Sequence, residues 1–350
     1  MQIWRRTLVP GDPQRNWFAA WSAQGLLPDD RFRLLDSKGN AAPLEPFRLR
    51  PTTWVDQSLM CCFRVPDGAK LGTYTLVVAG VVTGSITLVS PKSASAPLVV
   101  TGENHLLHSN PDTLYVDCVW DRQSVFTQGG FYLNCEWRGL AHPGIGNTHA
   151  FSTWGTKGPL ALVGCTFDGT DRGPVMNITD GHIVEPLFYG LTLRNISHVD
   201  GGNELLCIEK RREASSAAAV VSPIIASWRC YNNEGDIYIA GRTTDALIRD
   251  VVIDRGNIVA VAGSLQGATI EDCELRRGRI VPGDACRDVT VRRCALLDRR
   301  PTRGNRTYTQ AFYYDGGLNP VESAKWNLPP GIGINGTFPG GKVEGCYFAN

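Results

Sequence analysis

Two stretches, Ile270-Glu-Asp-Cys273-Glu-Leu275 and Val291-Arg-Arg-Cys294-Ala-Leu296, carry the pattern that decides the fold of this chain. In each, an apolar residue is followed by two polar residues, a cysteine, a variable residue and a leucine. Related copies lie at Tyr132–Trp137, Leu162–Phe167, Leu193–His198, Ser227–Asn232, Ile248–Ile253 and Val343–Phe348. The shortest spacing between copies is 21 to 22 residues, so the sequence predicts a repeat protein with a unit of that length.

A unit of this size, with short β-branched strands, glycines and no helical periodicity, cannot close a hydrophobic core alone and must stack on its neighbours. In a parallel β-helix each unit forms one coil, and equivalent residues of successive coils lie about 4.8 Å apart. A leucine-rich repeat has a similar length, but the helix-forming half of its unit is missing here. The repeat therefore predicts an all-β chain with a right-handed parallel β-helix, whose internal ladder contains Cys135, Cys165, Ile196, Cys230, Val251, Cys273, Cys294 and Cys346.

The first ninety or so residues differ from the rest of the chain. Short alternating strands are separated there by turn signals such as Pro10-Gly11-Asp12 and Pro66-Asp67-Gly68, which is typical of a β-sandwich. We predict a small immunoglobulin-like β-sandwich over residues 1–91 and a linker over 92–100. The β-helix then occupies 101–350, with a long aromatic-rich insertion at about 298–340.

Composition narrows the classes of function. Basic and acidic residues number 35 and 34, which gives no broad electrostatic reason to expect nucleic acid or an anionic membrane as a partner. No apolar run is long enough to span a bilayer, and Met1–Arg6 does not begin a secretory signal. The 11 cysteines lack zinc-ligand spacing, so we expect reduced, buried thiols and predict no metal and no cofactor.

Charged residues follow a second strand in three successive units. Asp180 and His182 come after the first of these strands, Glu209 and Lys210 after the second, and Arg242 after the third. If the strands stack in register, these side chains form one outward patch. Asp180 and Glu209 would then be a hydrolytic carboxylate pair, His182 or a lysine of depressed pKa could serve as a base, and Arg242 would bind substrate. A solvated ladder of charges without activity is the alternative.

A second candidate surface lies in the insertion. Tyr308, Tyr313, Tyr314 and Trp326 occur there together with asparagine and aspartate residues. Aromatic faces stack on the apolar faces of sugar rings while polar neighbours bind the hydroxyl groups, so these residues are candidates for binding a saccharide. They could equally fix the insertion onto the body of the protein.

Turn patterns such as Gly164–Gly169 and Asp272–Gly278, together with the repeat, resemble those of the pectate-lyase-like β-helix superfamily over roughly residues 100–350. Members of that superfamily include polysaccharide lyases, glycoside hydrolases and phage tailspikes. With the N-terminal sandwich and no visible export signal, the resemblance implies a tailspike-like virion protein, released by host lysis, that binds and could also cleave a bacterial surface polysaccharide.

The same resemblance implies a homotrimer whose N-terminal domain attaches to other virion proteins. The chain ends on a repeat, at Cys346–Asn350, and open strand edges there favour a partner that covers the last coil. Two other classes remain open. One is an extracellular bacterial polysaccharide lyase or glycoside hydrolase, and the other is a non-catalytic structural or decoration protein.

Overall fold

The computed structural model is all-β and contains a parallel β-helix preceded by a small β-sandwich, as the sequence predicts. Its contacts divide the chain into two units, Met1–Val99 with Asp112–Leu114, and Val100–Pro111 with Tyr115–Asn350. The residues that the structure describes are 1–26, 32–49, 56–93, 99–103, 108–109, 111–139, 149–153, 156, 158–169, 175–179, 182–196, 204–209, 219–233, 235–276, 278–297 and 339–348.

Two sheets form the first unit. One has the order β1 (Gln2–Trp4), β3 (Trp17–Trp21), β7 (Met60–Arg64) and β6 (Glu45–Pro46). The other has the order β2 (Thr7–Leu8), β9 (Val81–Leu88), β8 (Gly72–Val78), β4 (Arg33–Leu35) and β5 (Ala41–Ala42). Alternate residues bury one side of each sheet, so that Phe18 of the first sheet shares a core with Leu76 and Ile86 of the second.

The second unit consists of coils that pair through parallel strands. Its first two strands on the main sheet are β10 (Val99–Glu103) and β12 (Leu114–Asp121). The longer of these, β12, spans the corner between two faces of the helix, which we call face A and face B. Face A continues with β14 (Gly130–Leu133), β17 (Leu160–Val163), β21 (Leu187–Tyr189), β25 (Ile224–Ala226), β29 (Leu247–Arg249), β33 (Thr269–Glu271), β36 (Thr290–Arg292) and β38 (Lys342–Glu344).

Three further sets of strands complete the coils. Face B continues with β15 (Glu136–Arg138), β18 (Thr166–Asp168), β22 (Thr192–Arg194), β26 (Arg229–Tyr231), β30 (Val252–Ile253), β34 (Glu274–Arg276), β37 (Ala295–Leu297) and β39 (Tyr347–Phe348). Face C contains β11 (His108–Ser109), β13 (Val125–Thr127), β16 (Phe151–Thr153), β19 (Met176–Thr179), β23 (Glu204–Glu209), β27 (Asp236–Ile239), β31 (Ile258–Ala260) and β35 (Ile280–Pro282). Face D contains β20 (Ile183–Val184), β24 (Val220–Val221), β28 (Thr243–Thr244) and β32 (Leu265–Gln266).

The backbone conformation at the corner between faces A and B explains why a small or polar residue so often precedes the ladder position in the repeat. This residue has a positive φ in coil after coil, in the left-handed region where glycine, asparagine and aspartate are least strained. The corner residues are Asp117, Asn134, Gly164, Gly190, Ser227, Asp250, Asp272, Arg293 and Gly345. After this turn the next side chain points into the helix.

The internal ladder that follows the corner differs from the predicted one at two positions and begins one coil earlier. In order along the axis it contains Cys118, Cys135, Cys165, Leu191, Trp228, Val251, Cys273, Cys294 and Cys346. Six of the eight predicted members are correct, and Cys118 adds a coil that the pattern did not reveal. The predicted positions of Ile196 and Cys230 are wrong.

Hydrogen bonds between coils fix this register. The N–H of Thr192 donates to the carbonyl oxygen of Cys165 at 2.9 Å, and the N–H of Arg229 donates to that of Leu191 at 2.9 Å. Leu191 and Trp228 therefore occupy the ladder. The ladder position accepts any apolar side chain that fills the interior. In both coils a similar pattern of apolar and polar residues occurs again a few residues later, at Ile196 and Cys230, and this second copy gave the wrong prediction.

The cysteines of the ladder contribute weak hydrogen bonds as well as volume. Cys135 and Cys165 place their Sγ atoms 3.5 Å from the carbonyl oxygens of Tyr115 and Tyr132 in the preceding coil, and S–H is a weak donor. Burial raises the pKa of the Cys135 thiol well above its ordinary value. All 11 cysteines are free thiols.

An aromatic stack fills the first coils beside the ladder. The ring centroids of Trp120 and Trp137 lie 4.6 Å apart, and those of Trp137 and Phe167 lie 4.7 Å apart, with nearly parallel planes. Leu193 and Cys230 continue the same column in register. Among the described residues, no helix is long and apolar enough to cross a lipid bilayer.

Candidate functional site

The predicted charged patch falls at the end of face C. Asp180 and Lys210 lie outside the described residues, as does the side chain of Glu209. The backbone of Glu209 ends β23 opposite Thr179 of β19. The proposed roles of these three residues therefore stay predictions.

His182 and Arg242 are described, and both are exposed. Each immediately precedes a strand of face D, and the N–H groups of Ile183 and Val220 donate to the carbonyl oxygens of Ala219 and Arg242 at 3.2 and 3.0 Å. His182 and Arg242 consequently occupy the same corner position two coils apart, or about 10 Å at the ordinary strand spacing. The backbone register therefore places these two residues on the same side of the helix, and the grouping of all five predicted side chains into one patch stays a prediction.

The aromatic surface predicted in the insertion lies outside the described residues. Tyr308, Tyr313, Tyr314 and Trp326 all fall between 298 and 338. Their assignment to saccharide binding stays a prediction.

A polar ladder outside the sequence-predicted patch lies at the start of the face C strands. Glu204 and Asp236 start β23 and β27 and are register partners on adjacent coils. Asn257 precedes β31 and takes the same position one coil later. The signal in the sequence is a repeated glycine, then a polar residue, then isoleucine, at Gly235–Ile237, Gly256–Ile258 and Gly278–Ile280.

The glycines of this motif allow the coils to approach closely. A Cβ atom at Gly256 would overlap the carbonyl oxygen of Gly235, and one at Gly278 would overlap that of Gly256. Such overlap cannot be relieved by rotating a side chain, because the obstacle is backbone. The tight corner holds the following polar residues of successive coils one above another.

Asp236 is the central member of this ladder and is only 4% exposed. Its Oδ1 accepts hydrogen bonds from the backbone N–H and from Nδ2 of Asn257, at 2.7 and 2.9 Å. The Oδ1 of Asn257 accepts in turn from the N–H of Arg279 at 2.9 Å. The coils of Asp236, Asn257 and Arg279 are thus tied to one another by side chains as well as by the strands.

The environment of Asp236 raises the pKa of its carboxyl group. Burial, and to a smaller extent the neighbouring carboxylate of Glu204, raises its pKa from 3.8 to about 7, although the two hydrogen bonds from Asn257 act to lower it. A carboxyl whose pKa lies near 7 can give up or take a proton at neutral pH, as an acid or base catalyst must. The pair Glu204 and Asp236 lies at the opposite end of face C from the corner of His182 and Arg242.

A third polar contact lies on face C in an earlier coil. The Nε2 of His149 lies 2.9 Å from Nδ2 of Asn177, and the side chain of Asn177 is buried. In the sequence, His149 ends a glycine-rich stretch, His142–His149, that could be a ligand-binding edge or only a loop between coils, and residues 142–148 lie outside the described residues. The contact fixes the orientation of the imidazole ring relative to face C.

The outer surface of face B carries a regular series of polar side chains. Outward side chains form two columns, because the residues of each strand alternate between the interior and the outside. One column passes through Glu136, Thr166, Thr192, Arg229, Val252, Glu274, Ala295 and Tyr347. The other passes through Asp121, Arg138, Asp168, Arg194 and Tyr231, and Arg276 and Leu297 continue this side of the face.

Each arginine in these two columns has a carboxylate partner. The nitrogen-to-oxygen distances are 3.9 Å for Arg138–Asp121, 2.8 Å for Arg194–Asp168, 2.9 Å for Arg229–Asp250 and 2.6 Å for Arg276–Glu274. Amides join the network at the adjoining corner, where Nδ2 of Asn232 donates to Oδ1 of Asn195 at 3.1 Å and Nδ2 of Asn195 to Oδ1 of Asp168 at 2.8 Å. From the coil of Asp121 to that of Arg276 the surface offers donors and acceptors in series, and the coil of Ala295 and Leu297 is apolar.

No group of three or more histidine, cysteine or acidic side chains that could hold a metal ion occurs within the described ranges. A scan against protein-family models, a search of curated proteins and a search of solved structures each found no match to this chain.

Proposed function

We propose that this chain is a tailspike-like virion protein whose β-helix binds a bacterial surface polysaccharide along the outer surface of face B. The observation that carries the proposal is the open, repeating set of donors and acceptors on that surface. A polysaccharide presents hydroxyl groups at regular intervals, and a site for it needs precisely placed polar groups beside an apolar surface. Rungs about 4.8 Å apart supply such groups in series.

The rest of the proposal extends the resemblance to the pectate-lyase-like superfamily. The N-terminal β-sandwich would attach the protein to other virion components, and three copies would associate side by side. Light scattering of the purified chain tests this arrangement. A trimer is expected, and a monomer at high concentration would count against the spike-like assembly.

Cleavage of the bound polysaccharide is the second candidate function. The observation that favours it is the carboxyl pair of Glu204 and Asp236 on adjacent coils, one of them with a pKa of about 7. Glycoside hydrolases use two carboxyl groups, one of which acts as an acid and therefore needs a raised pKa. The sequence-predicted pair of Asp180 and Glu209 is the competing location for this chemistry.

The test of binding uses surface polysaccharides purified from a panel of bacteria and immobilised on a sensor. The double variant Arg194→Ala/Asp168→Ala removes one ion pair from face B and is expected to weaken binding at least about fivefold, which corresponds to roughly 1 kcal/mol. The matched control is Arg64→Ala/Glu45→Ala, an exposed ion pair of 2.9 Å in the sandwich. Equal affinity of the two double variants would contradict binding on face B.

The same incubations test cleavage. New reducing ends without absorbance from an unsaturated uronate indicate a hydrolase, and both signals together indicate a lyase. Binding to no polysaccharide in the panel would contradict the proposed function itself.

A further inference from the structure

We infer that the ligand of face B is an uncharged saccharide and that the ring of Tyr231 is the platform on which one of its sugar rings stacks. The inference rests on the proposed function, because it names the class of polysaccharide and the residue that recognises it. Two independent observations carry it, the exposure of the tyrosine and the balance of charge around it.

Tyr231 is the last residue of β26 and points outward. Its neighbour Cys230 is fully buried in the helix interior, whereas Tyr231 itself is 48% exposed. An uncovered aromatic side chain of this size exposes a large apolar area to water, which a bound ligand could bury. A sugar ring has an apolar face of C–H groups that can cover the aromatic ring, while its hydroxyl groups remain free for polar neighbours.

Polar neighbours surround Tyr231 on both sides. Arg194 is its register partner in the preceding coil. Asp254 lies in the next coil, directly after the residue that pairs with Cys230. Arg229 precedes Tyr231 by two residues on the same strand and on the same side of the sheet. Hydroxyl groups of a stacked sugar would therefore find both donors and acceptors.

The charged side chains that lie on the face B columns or pair with them are nearly balanced around Tyr231. They comprise three guanidinium groups and four carboxylates, which sum to one net negative charge: Arg194, Arg229, Arg276, Asp168, Asp250, Asp254 and Glu274. Three of the acids already hold the three arginines at 2.6 to 2.9 Å, and the pKa of Arg276 is raised by its hydrogen bond to Glu274 and, more weakly, by Asp254. An acidic polysaccharide would have to displace these pairs and approach a surface without excess positive charge.

Neutral ligands bind such a surface without releasing counterions, so their affinity should depend little on salt. Weak salt dependence distinguishes a site for a neutral saccharide from a site for a uronate, in which added salt weakens the attraction between opposite charges. It also argues against lyase chemistry at this surface, because that reaction removes the proton beside the carboxylate of a uronate.

The experiment measures binding of neutral and of uronate-containing bacterial polysaccharides to Tyr231→Ala, Tyr231→Phe and the wild-type protein. The alanine variant is expected to lose at least about tenfold in affinity for a neutral polysaccharide, while the phenylalanine variant stays within about threefold, since stacking needs the ring and not the hydroxyl. Phe126→Ala is the matched control, because Phe126 is also exposed, by 39%, but belongs to face C.

Salt dependence is the second measurement. Affinity for the neutral polysaccharide should change less than about twofold between roughly 50 mM and 500 mM sodium chloride. Preference for the uronate polymer with a steep loss in salt, or unchanged binding by Tyr231→Ala, would overturn the inference while leaving polysaccharide binding intact. Absence of binding to either class would overturn both proposals. Circular dichroism of each variant confirms that the fold is retained.

Discussion

Asn257 holds the carboxyl group of Asp236 from the next coil, because its backbone N–H and its side-chain amide both donate to the same oxygen atom, at 2.7 and 2.9 Å. Two donors on one oxygen stabilise the ionised form, yet burial outweighs them and raises the pKa to about 7. The result is a carboxyl group that changes its charge near neutral pH inside a structural corner of the helix.

Stability should consequently fall as the pH rises from about 4 to about 7. The folded-state pKa of Asp236 exceeds its unfolded value of 3.8, so between these values the folded protein binds the extra proton and loses that advantage as the pH increases. The full effect is at most about 4 kcal/mol. Urea unfolding at a series of pH values measures it, as the difference between wild type and Asp236→Asn.

The comparison of wild type with Asp236→Asn is needed because other groups make the free energy of unfolding rise with pH. The hydrogen bond from Arg293 lowers the pKa of Asp272, so this aspartate contributes stability that is lost only below about pH 4. Asp254→Asn serves as the control substitution. Parallel stability curves for wild type and Asp236→Asn would show that Asp236 ionises at an ordinary pH.

Two glycines with positive φ should respond very differently to alanine. At Gly190 the nearest atom to a new Cβ is 3.7 Å away, so Gly190→Ala should cost only the backbone strain of about 1 kcal/mol. At Gly256 the new atom would overlap a backbone carbonyl oxygen of the preceding coil, and Gly256→Ala should cost more than about 2 kcal/mol. Thermal and urea unfolding compare the two variants, and equal losses would contradict close stacking at this corner.

Trp137 should be the most sensitive position of the aromatic stack. It is fully buried between Trp120 and Phe167, so Trp137→Ala should destabilise the protein by about 3–5 kcal/mol. Its Nε1 has no hydrogen-bond partner within the described part of the chain. Trp137→Phe should therefore cost much less. It loses some packing area, but it also removes a buried N–H donor that has no partner among the described residues, and this offsets part of the loss.

The control for this series is the exposed Tyr231, for which Tyr231→Ala should change the free energy of unfolding by less than about 0.5 kcal/mol. Unfolding in urea, followed by tryptophan fluorescence, measures all three variants. A large loss for Tyr231→Ala would mean that its side chain has a structural role.

If the protein cleaves its polysaccharide, substitutions at the two candidate carboxyl pairs identify the active site. Asp180→Asn and Glu209→Gln should each lower the rate at least about 100-fold if the sequence-predicted patch is catalytic, as loss of a general acid or base does. Asp236→Asn should then retain activity. The rate is measured as release of reducing ends. Loss of activity in Asp236→Asn alone would assign the chemistry to Glu204 and Asp236, and unchanged rates in all three variants would exclude both pairs.

The candidate site could be anticipated only in part from sequence. The stacking of His182 and Arg242 on one corner follows from the repeat, because residues at equivalent positions of successive coils must superpose. The raised pKa of Asp236 could not be foreseen, since it depends on how completely neighbouring coils exclude water from its carboxyl group. The repeat pattern places Tyr231 directly after a ladder residue, whereas the structure shifts the ladder to Trp228 and makes Arg194 the register partner of Tyr231.

By itself, the sequence determined that the chain is all-β and that its repeats stack as a parallel β-helix behind a small sandwich, because a unit of 21 to 22 residues without helical periodicity has no other way to bury its apolar side chains. The tertiary structure alone decided the register at Leu191 and Trp228. Local patterns can be read in more than one frame, whereas backbone hydrogen bonds between coils and the fixed volume of the interior permit only one.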